Sequence, residues 1–304
     1  MTTPPTGTQH ELTHGDQVAV VTELGATLRR YDVAGQQVLD GFDADRAPDG
    51  GRGQVLAPWP NRVRDGRYTF DGTGHQLGLT EVANRNAIHG LVRWTGWDLD
   101  ERGEDWAALT TTVWPQPGYP FLLRLRAAYR LDDDGLHVAL QARNDGDRAA
   151  PYGAGHHPYV TVGARVDDVV LTVPAGQRLV TDERGIPTGV EPVEGTPYDF
   201  RTPRPVGDLV LDTAFGDLHR GADGRASVRL VNADADRAVS VWAGPGADYL
   251  QVFSGETLAD PARRRTALAV EAMTCPANAF VDGTGLVVLD PGDEHEMTWG
   301  VHAG

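Results

Sequence analysis

The sequence predicts an all-β protein built as one large antiparallel β-sandwich. Apolar and polar side chains alternate over many short segments, which is the period of a half-buried strand. No segment carries a sustained apolar stripe at the helical period of 3.6 residues, and 37 glycines and 20 prolines interrupt the 304-residue chain at frequent intervals. Together these features favour a sandwich over alternating βαβ units.

The clearest strands form a hairpin in the middle of the chain. Over residues 121–131 every second residue is apolar, and arginines occupy three of the positions between them. After an Asp-rich turn at 132–135 the alternation resumes over residues 136–143, which predicts two antiparallel strands with one buried face. Weaker alternation predicts strands over residues 17–24, 67–77, 169–173, 228–231, 239–242, 250–253 and 297–301.

Length and composition predict one soluble domain. All-β folds of this size often form a single unit, so we predict one domain over residues 1–304, with residues 1–11 as a flexible tail and residues 43–53 as an exposed loop. The first ten residues lack the basic and apolar regions of a signal peptide, and no apolar run reaches 18 residues. We therefore predict a cytoplasmic protein that does not enter a membrane.

Charge and cysteine content argue against several classes of partner and site. The 27 basic and 43 acidic residues give a formal net charge of −16, which opposes binding to nucleic acid or to an anionic membrane surface. A single cysteine, Cys275, excludes an intrachain disulfide, and no Cys/His cluster has the spacing of a zinc site. Motifs for nucleotide binding, zinc proteolysis and serine hydrolysis are absent from the sequence. We predict no metal, and a monomer or weak homodimer.

Four separated, loop-like motifs hold charged and imidazole groups. They are Pro-Asn-Arg at 60–62, Asn-Ala-Ile-His-Gly at 86–90, His-His-Pro-Tyr at 156–159 and Val-Glu at 270–271. An arginine, two histidines and a glutamate at the ends of strand-like segments can bind a polyhydroxylated ligand and move protons on opposite sides of it. These motifs predict chemistry on a sugar.

The order of the motifs resembles that of the aldose 1-epimerases, or mutarotases. The matching residues are Pro-Asn-Arg-x-x-Asp-Gly-x-Tyr-x-Phe at 60–70, Asn-x-x-His-Gly at 86–90, His-Pro-Tyr at 157–159, Leu-Asp-x-x-Phe at 211–215 and Val-Glu at 270–271. The resemblance extends from about Leu12 to the C-terminus. It implies a galactose mutarotase-like β-supersandwich that interconverts the α and β anomers of a free aldose without a cofactor.

The resemblance also assigns roles to six residues. It makes Glu271 the base that takes the proton of the C1 hydroxyl and His157 the acid that protonates the ring oxygen, with the two roles exchanged on ring closure. General acid–base catalysis of this kind contributes roughly 10²–10⁴-fold per group. The remaining four are substrate-binding residues: Arg62 and Asp212 for the hydroxyls, His89 near the ring oxygen, and Asn61.

Other interpretations of these residues remain open at the level of the sequence. An unpaired carboxylate is costly in an apolar strand, which favours a functional Glu271. Arg62 could instead pair with Asp65 at the surface, His89 could cap a turn, and Asp212 could be a rim carboxylate. His156 points away from its neighbour in an extended segment, which predicts a packing role. Core packing is also the prediction for Trp59, Trp94 and Trp242.

The substrate is less constrained than the reaction. Galactose-type enzymes carry a Thr-Asn-His-x-Tyr-Phe segment, whereas Gly155 and His156 precede the catalytic histidine here, and Met273 and Ala277 replace a Gln and an Asp. The net charge favours a neutral aldohexose such as glucose or galactose. The alternatives are a phosphorylated or sulfonated hexose, for which arginines near the motifs could provide a subsite, a non-catalytic carbohydrate-binding protein, and a glycosidase or lyase.

Overall fold

The computed structural model describes residues 3–304, so Met1 and Thr2 of the predicted tail lie outside the described residues. The first strands are β1 Gln9–His14, β2 Gln17–Thr22, β3 Leu28–Val33, β4 Gln36–Gln37, β5 Val55–Leu56, β6 Arg62–Arg64, β7 Arg67–Phe70, β8 Thr73–Gln76 and β9 Asn86–Ile88. The next are β10 Asp98–Arg102, β11 Trp106–Val113, β12 Leu123–Asp132, β13 Gly135–Asn144, β14 Ala150–Tyr152, β15 Gly155–His156, β16 Tyr159–Val160, β17 Val170–Thr172 and β18 Ala175–Thr181. The last are β19 Pro187–Pro192, β20 Arg204–Pro205, β21 Asp212–Leu218, β22 Ala226–Asn232, β23 Arg237–Ala243, β24 Tyr249–Phe253, β25 Leu268–Met273, β26 Val287–Leu289 and β27 Glu294–Ala303.

Helical structure is confined to short pieces in residues 3–304. One α-helix, α1, spans Ala279–Asp282, and single 3₁₀ turns lie at Val166–Asp168, Ala233–Ala235 and Pro261–Arg263. No helix in this part of the chain is long and apolar enough to cross a membrane. The prediction of an all-β fold is therefore confirmed.

Two large antiparallel sheets supply the architecture. A nine-stranded sheet has the order β10-β11-β12-β13-β27-β23-β22-β17-β20, and an eight-stranded sheet has the order β19-β18-β21-β24-β25-β15-β5, with β16 paired to β25. A four-stranded sheet, β1-β2-β3-β4, and three two-stranded ladders complete the fold. Apolar residues from both large sheets belong to one continuous buried cluster, so the sheets pack as a sandwich.

The predicted central hairpin is confirmed as β12–β13. Burial alternates along β12, and Asp132 pairs with Gly135 across the turn. Gly135 has a φ of 110°, and a Cβ atom there would lie 2.3 Å from the backbone oxygen of Val301. The close approach of β27 to β13 therefore requires glycine at this position.

Two segments differ from the predictions. Residues 9–11 belong to β1, and Thr6 is fully buried, so the flexible tail predicted over residues 1–11 is wrong for this part of it. In the predicted loop 43–53, residues 43–47 are exposed, but residues 51–53 are buried. Arg52 is only 1% exposed because Asp40 and Asp49 accept its hydrogen bonds at 2.9 and 3.0 Å, which compensates the charge.

Candidate active site

The six predicted site residues line one open cleft beside the interior strands of the eight-stranded sheet. The cleft has a volume of about 400 Å³. β25 contributes Glu271, β21 contributes Asp212, and the segment after β15 contributes His157. The ladder of β6 and β9 forms the opposite wall, which carries the remaining three residues, Asn61, Arg62 and His89.

Glu271 and His157 are in direct contact at the floor of the cleft. Glu271 Oε1 lies 3.3 Å from His157 Nε2, and the two side chains are 3% and 5% exposed. The second carboxyl oxygen, Oε2, is buried and has no hydrogen-bond partner among residues 3–304. The imidazole stacks on the Tyr159 ring, with 5.0 Å between ring centroids and 18° between planes. These contacts hold the carboxyl and imidazole groups in a fixed orientation and leave one carboxyl oxygen without a partner.

Burial shifts the pKa values of the pair in opposite directions. Desolvation raises the pKa of Glu271 well above its usual value; Asp212 adds to this and Arg62 opposes it. Desolvation, together with Arg93 and Arg52, lowers the pKa of His157 to about 3. Both shifts favour the uncharged forms, a protonated carboxyl group beside a neutral imidazole.

His89 presents a hydrogen-bond donor to the cleft. Its Nδ1 accepts a hydrogen bond from the backbone N–H of Asn61 at 3.2 Å, and burial holds its pKa well below the usual value. A neutral imidazole that accepts at Nδ1 carries its proton on Nε2. The backbone N–H of His89 donates in return to the Asn61 carbonyl at 2.9 Å. This double contact fixes the ring, whose centroid lies 5.4 Å from that of His157.

Arg62 is held by carboxylates inside the cleft. Its Nε donates to both oxygens of Glu81 at 3.2 and 3.1 Å, and one Nη lies 3.5 Å from Asp212 Oδ2. The alternative of a surface pair with Asp65 is not found, because Asp65 accepts from Arg184 at 3.1 Å instead. The guanidinium therefore lines the cleft in a fixed position, with planar donors that can bind a ligand.

A row of polar side chains crosses three strands beside Glu271. Gln251 of β24 pairs in register with Glu271 of β25, and its amide donates to Asp212 Oδ1 of β21 at 2.5 Å. Asp212 is exposed, whereas the other two are buried. The row connects Asp212 to the buried contact between Glu271 and His157.

Comparison with known proteins identifies the family of the chain. Residues 8–301 match the family model described as aldose 1-epimerase. The chain belongs to the aldose 1-epimerase family. The predicted resemblance is thereby confirmed.

Relatives of this aldose 1-epimerase family member cover most of its length. The uncharacterized protein YihR of Escherichia coli is 32% identical over 96% of this chain and 92% of its own. The galactose mutarotase of Sus scrofa is 25% identical over 81% of this chain and 77% of its own. A solved GalM/aldose epimerase homologue from C. elegans superimposes with a TM-score of 0.86 at 18% identity, covering 98% of both chains, which supports the fold.

Several residues in or next to the cleft of this family member were not predicted from the sequence. Glu81 accepts from Arg62 and from the Asn86 amide at 2.7 Å, although it lies in a polar loop with no recognisable motif. Gln251 could have been recognised from the sequence, because it is a polar residue within an apolar strand. Trp94 is 57% exposed and lines the cleft, so the prediction that it packs in the core is wrong. Trp59 and Trp242 are buried, in agreement with the prediction.

The positions that depart from the galactose-type pattern are buried, and all of them except His156 are apolar or glycine. Met273 pairs with Gly155 between β25 and β15, and neither residue lines the cleft. Ala277 is 5% exposed. Among residues 3–304 no group of three or more His, Cys, Asp or Glu side chains is arranged to hold a metal ion, and Cys275 is buried as a free thiol.

His156 supports the aldose 1-epimerase fold from the opposite side of β15. It is fully buried, its ring centroid lies 4.8 Å from that of Trp299, and its Nε2 is 3.5 Å from the Tyr129 hydroxyl. It does not line the cleft. The packing role predicted for this residue therefore agrees with its position in the structure.

We expect the free energy of unfolding to fall on acidification because of the buried histidines. Burial lowers the pKa of His156 to about 3 in the folded protein, from an ordinary value of 6.5. Between these values the unfolded chain binds a proton that the folded protein does not, so stability decreases as pH falls from 6.5 towards 3. Urea unfolding at about pH 7 and pH 5 measures the loss. His156→Asn should show a smaller loss than the wild type; an equal loss would contradict the assignment.

Proposed function

We propose that this protein interconverts the α and β anomers of a free aldohexose by acid–base-catalysed opening and closure of the ring. The observation that carries the proposal is the buried contact between Glu271 and His157 beneath a cleft whose other wall presents a fixed donor, His89. Two proton-exchanging groups and a donor are the groups that opening a cyclic hemiacetal requires. Family membership supports the reaction class.

The reaction begins with a proton shift within the pair. Transfer of the proton from Glu271 to His157 gives a carboxylate and an imidazolium without changing the total charge. Sugar hydroxyls that enter the cleft stabilise these charged forms by hydrogen bonding, in place of the water that burial excludes. The sugar is bound with its C1 hydroxyl at Glu271 and its ring oxygen at His157.

Ring opening then uses both groups at once. Glu271 takes the proton of the C1 hydroxyl, His157 gives its proton to the ring oxygen, and the bond between C1 and the ring oxygen breaks to give an open-chain aldehyde. Rotation about the C1–C2 bond exposes the other face of the carbonyl group. Closure reverses the transfers: His157 removes the proton from the attacking C5 hydroxyl, and Glu271 protonates the new C1 oxygen. Only protons are exchanged, so the proposed mechanism requires no cofactor.

The remaining residues bind and orient the ring. His89 donates from Nε2 to the ring oxygen, where negative charge develops during bond cleavage. Arg62 and Asp212 bind hydroxyls, and the backbone of Asn61 holds His89 in place. Orientation by these groups lowers the barrier because the reacting atoms are held close together before the chemistry begins.

Exchange NMR over a panel of aldoses tests the function directly. We expect cross-peaks between α and β anomers whose rate is proportional to protein concentration. Binding of a sugar without accelerated exchange would instead support a carbohydrate-binding protein. Release of the aryl group from aryl glycosides would support a glycosidase. Either result would refute the proposed reaction.

We expect Arg62→Ala and Asp212→Asn each to raise KM for the preferred sugar by about tenfold or more, because hydrogen bonds to charged groups are lost. Both residues also orient the ring, so a smaller fall in kcat should accompany the change. Steady-state kinetics measures both parameters. Asp65→Asn is the matched control, since Asp65 accepts from Arg184 outside the cleft. Unchanged kinetics in both cleft variants would place Arg62 and Asp212 outside the substrate site.

A further inference from the structure

Arg93 differs from the other charged groups of the cleft. Its side chain is partly buried in the wall of the cleft beside Trp94. The Nε atom is buried and has no hydrogen-bond partner among residues 3–304, and one Nη makes a single long contact of 3.5 Å with the carbonyl of Ile88. Within the same residues Arg93 forms no ion pair with a carboxylate. Its positive charge is therefore uncompensated by the protein.

The other charged groups lining the cleft have partners of opposite charge or share a proton. Arg62 pairs with both Glu81 and Asp212, as described above. Asp49 at the rim pairs with Arg52 at 3.0 Å. Because a buried and unpaired charge is destabilising, Arg93 is a position where a ligand can supply the missing anion.

Groups in direct contact with a ligand in the cleft affect its binding more than the net charge of the chain does. Charges on distant surfaces are screened over about 8–10 Å at ordinary ionic strength, so the total of −16 has little effect inside the cleft. An anion in contact with a desolvated guanidinium gains a charge-assisted hydrogen bond, with a bidentate geometry that suits carboxylate, phosphate and sulfonate groups.

The position of Arg93 indicates which part of the sugar it contacts. Arg93 is close enough to His89 and His157 to lower the pKa of both. In the proposed reaction these two histidines face the ring oxygen, and the carbon next to that oxygen is C5. The substituent of C5 is therefore the part of an aldohexose that comes nearest to the guanidinium.

We propose that Arg93 binds an anionic substituent at C6 and that the substrate is an acidic aldohexose rather than the neutral sugar that the net charge favours. This inference rests on the proposed function and identifies its substrate class. These sugars share a negatively charged group at the C6 end of the molecule. It is the carboxylate of a hexuronic acid, the phosphate of a 6-phosphate or the sulfonate of a 6-sulfonate.

The test compares anomer exchange of glucose, glucuronate, glucose 6-phosphate and a 6-sulfonated glucose by NMR. We expect the wild type to show a kcat/KM for at least one acidic sugar that is about tenfold or more above that for glucose. In Arg93→Gln the ratio of acidic sugar to glucose should fall by a similar factor, and Arg93→Lys should retain part of the preference. The ratio of the two kcat/KM values is used because an effect of the substitution on His89 or His157 would change the rates for both sugars alike. The three acidic sugars also distinguish the sources of the anion.

Arg67→Gln is the control, because Arg67 is exposed, bonds to Gln76 and does not line the cleft. Its ratio should equal that of the wild type. The inference would be overturned if the wild type preferred glucose, or if Arg93→Gln had the same ratio of acidic sugar to glucose as the wild type. Neither result would contradict the proposed anomer exchange. If no sugar is exchanged, the proposed reaction fails. Calorimetric titration of the same sugars then tests Arg93 by binding alone, with tighter binding of an acidic sugar supporting the inference and equal or weaker binding refuting it.

Discussion

Glu271→Gln is expected to lower kcat for anomer exchange by roughly 10²-fold or more, because it removes the group that takes the C1 proton. The fold should survive the change. Burial raises the pKa of Glu271 and so favours a neutral carboxyl group, which a glutamine amide matches in shape and charge. Exchange NMR on the preferred sugar measures the loss, with circular dichroism as the check on folding.

The same variant should change stability in a defined direction. A carboxyl group with a raised pKa in the folded state stabilises the fold below its unfolded value, near 4.5, and this contribution is lost as pH rises. Glutamine does not titrate, so Glu271→Gln should have a higher Tm than the wild type above neutral pH, with a smaller difference towards about pH 4. Glu191→Gln is a matched control, because Glu191 pairs with Arg178 outside the cleft. A folded Glu271→Gln with wild-type turnover would show that another group is the base.

His157→Asn is expected to abolish most of the activity, whereas His156→Asn should act mainly on stability. The two residues are adjacent in the sequence, but His157 contacts Glu271 in the cleft and His156 contacts Trp299 in the core. Loss of the acid should lower kcat by roughly 10²–10⁴-fold. Measuring kcat and Tm for both variants separates the two effects.

The contrast between the neighbours makes this test selective. Both histidines are buried and have lowered pKa values, so neither burial nor titration alone distinguishes them. Only their orientation does. If His156→Asn lost turnover at unchanged Tm and His157→Asn kept it, the acid would have to be reassigned to His156.

The strand pattern was predictable where a strand has one buried face. In β12–β13 the period of two is uninterrupted, and the structure follows it residue by residue. Strand β1 was missed because it is short and begins near the terminus, where a few polar residues resemble a tail. Burial of Arg52 was missed for a different reason. Its compensation by Asp40 exists only after folding, and a glycine-rich segment around an arginine otherwise predicts a loop.

Site residues that belong to a sequence motif could be predicted. Residues that contact the site only through partners far away in the sequence could not. Glu81 meets Arg62 across 19 positions, and Gln251 meets Asp212 across 39. Arg93 was recognised only as one of several nearby arginines. Arg93 differs from Arg62, the other arginine that lines the cleft, because it has no carboxylate partner within residues 3–304. This difference can be recognised only in the folded structure, where the neighbours of each arginine are known.

The polar row formed by Asp212, Gln251 and Glu271 makes this region intolerant of length changes. Side chains on a strand alternate between faces, so deleting one residue from β24 or β25 would turn the following polar groups into the core and bring apolar ones to the cleft. Loops such as residues 43–47 could change in length with far smaller effect. A change of substrate specificity is therefore expected to come from substitutions in the walls of the cleft. The lengths of the three strands beneath the cleft should stay constant.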